Sequence, residues 1–180
     1  MNLRKDALCA AAEFVLAAEN FAKNTPGLVA TVGQIEVKPG ASNVIPASCL
    51  LSVDVRHQSD ASRKSACAKL KKAGQQMARL RGLKFIWEPI QETAAVPCSA
   101  TLSSLLSNAA RSHQKRVLKL PSGAGHDAAV LASITPVAMI FVRCRNGISH
   151  HPDESVQVKD VAVALKVMIK FIALLAEKYA

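Results

Sequence analysis

Aromatic side chains are scarce in this chain of 180 residues: they make up 4%, with one Trp, one Tyr and five Phe. That scarcity argues against a protein that stacks nucleobases on aromatic rings, and no RNP, KH or zinc-finger pattern is present. Acidic residues are also few, 13 against 23 Lys and Arg, leaving a net charge of +10. The richest basic stretch runs from Arg63 to Lys84. On a helix its charges spread around the surface instead of forming one stripe, so it reads as a solvated face. No cysteine pair has CxxC spacing: Cys9, Cys49, Cys67, Cys98 and Cys144 are scattered. A zinc knuckle and a thioredoxin-type site are thereby excluded. Small buried thiols in a reducing compartment are the expectation, which favours the cytoplasm. No secretory signal opens the chain, because Met1–Asp6 runs straight into charge. No long apolar run exists either; the stretch Val161–Ala176 is interrupted by Lys166 and Lys170 and does not suit a bilayer. Neither a nucleic-acid partner nor a membrane partner is expected.

What the chain does have is apolar content of 50%, enough for a packed core. The pattern predicts an α/β protein. A helix is expected over Arg4–Ala22, with Leu8, Ala12, Val15 and Ala18 or Glu19 as its spaced positions. Strands are expected over Leu28–Lys38 and Leu50–Arg56. A second helix, capped by Asp60 or Ser62, should stop at Gly82. Leu83–Pro89 should form a third strand, with Phe85 and Trp87 on one side. Helix, two strands, helix, strand is one strand short of a split βαβ sandwich. Beyond Ala95 the expectations are a helix over Ser99–Ser112, a strand over Arg116–Leu120 and a short helix over Ala128–Ala132. A buried parallel strand over Val137–Arg143 should follow. The last helix, Lys159–Lys178, should bury Val161, Leu165, Met168, Ile172 and Leu175. Two α/β pieces, 1–91 and 96–180, are the expected domains.

Three loops carry residues able to do chemistry. Asn43, in Pro39–Pro46, offers an amide, and Arg56, ending Asp54-Val55-Arg56, offers a planar fork suited to a carboxylate. Taken alone they read as a turn residue and a surface charge. In Ser122-Gly123-Ala124-Gly125-His126-Asp127, glycines flank a small residue and let a ligand approach the backbone, with an imidazole beside it. The bland alternative is a tight strand-to-helix turn. It is not a P-loop, since Gly-Lys-Ser/Thr is absent. In Gly147-Ile148-Ser149-His150-His151-Pro152-Asp153-Glu154, a histidine follows an apolar run and could ligate a metal. Adjacent histidines diverge, so only one of the two would do so.

Taken together, Met1–Leu8, Asn43-Val44-Ile45-Pro46, Asp54-Val55-Arg56, Ser122–Ala128 and Gly147–His150 stand in the order found in the M20 metallopeptidase-like amidohydrolases. The specific branch it resembles is that of allantoate amidohydrolase, N-carbamoyl-L-amino acid hydrolase and β-ureidopropionase. The resemblance spans essentially the whole chain. It implies an incomplete ferredoxin-like lid and dimerisation domain over 1–91. Residues 96–180 would then be the C-terminal portion of an α/β metallohydrolase catalytic domain. It implies hydrolysis of a linear C–N bond by metal-activated water, with Zn²⁺ or Mn²⁺ as cofactor.

By position, His150 matches the family's C-terminal metal-ligating histidine, and His126 a histidine that contacts substrate near the scissile group. Asn43 and Arg56 match lid residues that hold an anionic ureido or carbamoyl substrate, the arginine on its carboxylate, in the active site of a partner subunit. A homodimer through the lid is implied. His151 stands where the family often has asparagine, and is not assigned to the metal. The family's bridging aspartate, remaining ligands and glutamate base precede the lid, and no counterpart occurs in these 180 residues. One histidine cannot hold a dinuclear site, so this chain is expected to be inactive alone. The alternatives are a non-catalytic dimerisation or regulatory module, or a truncated gene product of the full hydrolase.

Overall fold

A computed structural model describes residues 1–114 and 116–180. The chain is α/β and divides into two compact units, Met1–Ala95 and Val96–Ala180.

The first unit begins with α1 (Ala7–Lys23). Asp6 starts it: its carboxylate accepts the N–H groups of Leu8 and Cys9, two of the donors a helix start leaves unpaired. Strands β1 (Val29–Lys38) and β2 (Ser48–Arg56) then form an antiparallel hairpin. Its register runs from Lys38 opposite Ser48 at the loop end to Val29 opposite Arg56 at the other end, with an irregularity between Thr31 and Gln34. Helix α2 (Asp60–Leu80) follows. Its cap is Ser59, not Asp60 or Ser62: the Ser59 hydroxyl accepts the Ser62 N–H. Asp60 is free for another task, accepting the Ala95 N–H at 3.1 Å. The helix ends where the sequence places it. Gly82 takes a left-handed φ of +65°, and Leu83 N–H reaches back to Ala78 C=O at 2.9 Å.

Both helices pack on the hairpin. Phe14, Ala18 and Leu70 are its buried centre, ringed by Phe21, Val32, Leu51, Val53, Met77 and Trp87. The inward face of α1 is Ala7, Ala11, Phe14 and Ala18; of the expected spaced positions Leu8, Ala12, Val15 and Ala18 or Glu19, Ala18 belongs to it. Phe14 decides this. Its ring carries more apolar area than any other side chain on the segment except Phe21, and helix orientation follows the largest burial.

Leu83–Pro89 alternates as expected, with Phe85 and Trp87 half-buried and Lys84, Ile86 and Glu88 exposed. It is nevertheless not a strand, because it has no ladder partner among the described residues. Alternation reports which side is covered; hydrogen bonding to a neighbour makes a sheet.

The second unit contains α3 (Ala100–Arg111), the short α4 (Asp127–Leu131) and α5 (Val158–Tyr179), with a single 3₁₀ turn at Arg145–Gly147. Ser99 caps α3 through Leu102 N–H, and Ser99 N–H donates to Val137 C=O at 2.8 Å. Helix α3 packs against α5. The face of α5 that turns inward centres on Val167, which is 1% exposed, with Phe171 and Leu174 beside it. The expected stripe is mostly outside it: Val161, Leu165, Met168 and Ile172 are exposed, and only Leu175 is half-buried. Helix α5 is apolar on adjacent faces, so spacing alone could not select one. Arg116–Leu120 and Val137–Arg143 likewise join no ladder among the described residues. The second of these is half-buried at Val137–Ile140 and exposed at Phe141 and Val142.

The cysteines are not buried thiols. Cys9 and Cys98 are exposed, and Cys49, Cys67 and Cys144 are intermediate. Cys9 shows why: it lies on α1 away from the Ala7–Ala11–Phe14 face. Among the described residues no helix is long and apolar enough to cross a membrane.

Candidate functional site

The four sequence-selected residues fall two to each unit. Asn43 is exposed in the loop joining β1 to β2. That loop is closed by Ala47 N–H donating to Lys38 C=O at 2.9 Å. It is tethered to the start of α1 by Ala7 N–H donating to Pro46 C=O at 3.1 Å. Arg56 closes β2 at the opposite end of the hairpin. From Ser48 to Arg56 the strand extends about 26 Å at its usual rise per residue. The fold therefore separates Asn43 and Arg56 within one chain.

Arg56 is held by Asp54, two residues before it in the same motif. Its Nε and Nη2 donate to the two carboxylate oxygens of Asp54 at 2.9 and 2.7 Å. Residues two apart on a strand share a face, so the Asp-x-Arg spacing is the signal that could have revealed the pair. The hydrogen bond from Arg56 holds the Asp54 carboxyl below its ordinary range, only partly opposed by desolvation, and Asp54 in turn raises the guanidinium. Asp54 thus fixes the plane of the fork. His57, next along, serves structure: its Nδ1 accepts the Ser59 N–H at 2.9 Å, and its Nε2 lies 3.3 Å from Pro26 C=O.

In the second unit His126 is the residue before α4, and its side chain does not cap that helix. Its Nε2 lies 2.6 Å from Ser122 Oγ, which also accepts the Ala124 N–H at 3.2 Å. Gly123 and Gly125 are not explained by crowding: a Cβ at either would meet open space, and neither has a left-handed φ. His150 sits in a loop whose ends are joined by Arg145 N–H donating to Ser155 C=O at 2.8 Å. Its own φ is +57°, a region L-residues seldom adopt. Its N–H donates to Glu154 Oε2 at 2.9 Å, which holds the turn. His151 is engaged locally, its Nδ1 accepting the Asp153 N–H at 3.2 Å.

Whether these side chains fit a metal can be judged from the donors. Among the described residues no group of three or more His, Cys, Asp or Glu gathers as a metal site. A tetrahedral zinc site needs three protein ligands at least. The residues present do not make a metal centre by themselves.

Over 96% of its length the chain is 37% identical to an N-carbamoyl-L-amino-acid amidohydrolase of Pseudomonas sp. strain NS671, covering 42% of that protein. It is 36% identical to allantoate deiminase 2 of Glycine max, covering 96% of this chain and 41% of that one. The crystal structure of a putative amidohydrolase/peptidase from Burkholderia cenocepacia superposes with a TM-score of 0.88 at 33% identity, covering 96% of this chain and 42% of that one. The chain thus spans about two fifths of the length of the curated relatives it matches. A match to a family description extends from residue 7 to residue 174, through both units and all four selected residues. On that match, the chain belongs to peptidase family M20/M25/M40.

Proposed function

We propose that this chain is part of an M20-type amidohydrolase that cleaves a linear C–N bond in a ureido or carbamoyl group. The observation that carries the reading is the likeness, over nearly the whole chain, to relatives named for N-carbamoyl amino acids and for allantoate. Both substrates set a carbamoyl-type group near a carboxylate. Arg56 would take the carboxylate, its guanidinium already oriented by Asp54. His126 would contact the substrate near the scissile group, in a loop where Gly123 and Gly125 leave the backbone approachable. His150 would supply one ligand to Zn²⁺ or Mn²⁺. A bound metal pair would polarise the carbonyl and activate water. The donors here are too few to hold such a pair, so hydrolysis belongs to the longer protein and this chain is inactive alone.

A homodimer through the first unit, as its dimerisation domain, is part of the same reading. The outer edge of β1 lacks a partner strand among the described residues. Beside it lies a groove of about 450 Å³ lined by Ala12, Val15, Leu16, Val32, Gly33, Gln34 and Ile35. A second copy would cover this apolar surface and pair with the edge. In such a dimer Asn43 and Arg56 would serve the active site of the partner subunit, the arginine on the substrate carboxylate.

The test joins this chain to the amino-terminal part of the Pseudomonas relative and measures ammonia release with Zn²⁺ or Mn²⁺. The chimera should hydrolyse N-carbamoyl amino acids or allantoate, and Arg56→Ala and His150→Ala should each abolish turnover. The chain alone should release none. Metal-dependent turnover by the isolated chain would refute its inactivity. A folded, metal-loaded chimera that ignores both substrates would refute the substrate class.

A further inference from the structure

Ser122 and His126 form a close pair in the second unit. Ser122 is half-buried and His126 exposed, and the hydroxyl oxygen lies 2.6 Å from Nε2. A hydroxyl has one proton and two lone pairs. One lone pair of Ser122 is occupied by the Ala124 N–H at 3.2 Å. Two arrangements remain. If the imidazole carries its proton on Nε2, it donates to the second lone pair, and the hydroxyl proton needs another acceptor. If the proton is on Nδ1, the hydroxyl donates to Nε2, and both of its hydrogen-bonding roles are met within the loop.

From this geometry we infer that Ser122 is a positioning residue that holds His126 as the Nδ1–H tautomer. The inference rests on the reading of His126 as a substrate contact. It adds what that contact is: an Nδ1–H donor facing a substrate oxygen, not a lone pair facing a substrate N–H. Nδ1 has no recorded hydrogen bond among the described residues, and it is not used to cap α4. His57 has the reverse arrangement, with Nδ1 accepting from Ser59 N–H and its proton left to Nε2 near Pro26 C=O. One histidine is locked for structure and the other for donation. A substrate class with a carbonyl or carbamoyl oxygen matches a neutral Nδ1–H donor.

The experiment is ¹⁵N NMR of the histidine side chains of the intact chain, above the pH range where imidazole protonates. His126 is assigned by loss of its signals in His126→Gln. Wild type should show a protonated, pyrrole-type Nδ1 and an acceptor-type Nε2 for His126, and the opposite pattern for His57. Ser122→Ala should move His126 to a mixture rich in the Nε2–H form, and Ser122→Thr, which keeps a hydroxyl, should restore the wild-type pattern. The inference is overturned if His126 is mainly Nε2–H in wild type. It is equally overturned if Ser122→Ala leaves the tautomer unchanged. These readings need neither substrate nor metal. A failure of the chimera to bind substrate would therefore sink the functional reading alone.

Discussion

Replacing Gly74 with alanine sets two effects of known size against each other. Gly74 is buried within α2 and has an ordinary helical backbone. Removing a glycine from a helix interior normally stabilises it by about 1 kcal/mol. Here the added Cβ would lie 2.5 Å from Phe85 Cε2, 2.8 Å from Phe85 Cζ and 3.3 Å from Phe14 Cδ2. Carbon atoms at rest stay about 3.5–4.0 Å apart, so the Phe85 ring must withdraw by about 1 Å. That ring is stacked obliquely on Trp87, centroid to centroid 6.3 Å, and Trp87 meets Phe14 edge-on at 6.5 Å. Moving it disturbs the three aromatic rings that cover the core. Overpacking of this kind costs about 1–3 kcal/mol. Set against the helix gain, the net expectation is a loss of about 0–2 kcal/mol for the first unit.

The assay is urea unfolding followed by Trp87 fluorescence. Trp87 is the sole tryptophan and touches the ring that must move, so its emission reports this unit alone. A lower midpoint and a shifted native emission are expected. A raised midpoint with unchanged emission would refute the reasoning, because it would show that Phe85 yields without cost. Gly33→Ala, in β1 of the same unit, is the control. Its Cβ would meet only Ser52 Oγ at 3.9 Å, so no ring has to move and the native Trp87 emission should stay as in wild type.

Other expectations follow from single contacts. The Arg56 hydrogen bonds depress the Asp54 carboxyl, so the pair's contribution is present above the unfolded pKa of aspartate and fades as pH falls through the lower folded value. Carboxyl ¹³C NMR should show Asp54 titrating below the usual aspartate range and returning to it in Arg56→Gln; an unmoved midpoint would exclude Arg56 as the cause. At His150 the positive φ suits glycine, so His150→Gly should leave stability unchanged or raise it by about 1 kcal/mol. A clear drop in melting temperature would mean that the imidazole itself supports the loop. Leu16→Glu would put a charge into the groove beside β1 on a side chain already 65% exposed. Light scattering should find a dimer in wild type and a monomer in the variant; a dimer in both would place the interface elsewhere.

Several features were legible in the sequence because they depend on near neighbours. The five helices were foreseen, with ends shifted by a few residues, since caps such as Ser99 and stops such as Gly82 act within a turn. The strands β1 and β2 were legible from their β-branched and alternating residues. The loops bearing Asn43, His126 and His150 were marked by their Gly, Pro and His content, and the family by the order of those loops.

Other features only the tertiary structure decided. Helix faces were misassigned in part in α1 and α5, because a helix apolar on more than one side is oriented by what packs against it. Leu83–Pro89, Arg116–Leu120 and Val137–Arg143 have the composition of strands and yet pair with nothing among the described residues. A strand needs a partner's N–H and C=O groups, and no property of the segment itself can supply them. The roles of Asp54 and Ser122 also waited for coordinates. Each acts through a hydrogen bond of 2.6 to 2.9 Å, and a spacing of two or four residues permits such a bond without requiring it. Local chemistry determined the elements and the motifs; long-range contact determined which faces are buried and which donors are oriented.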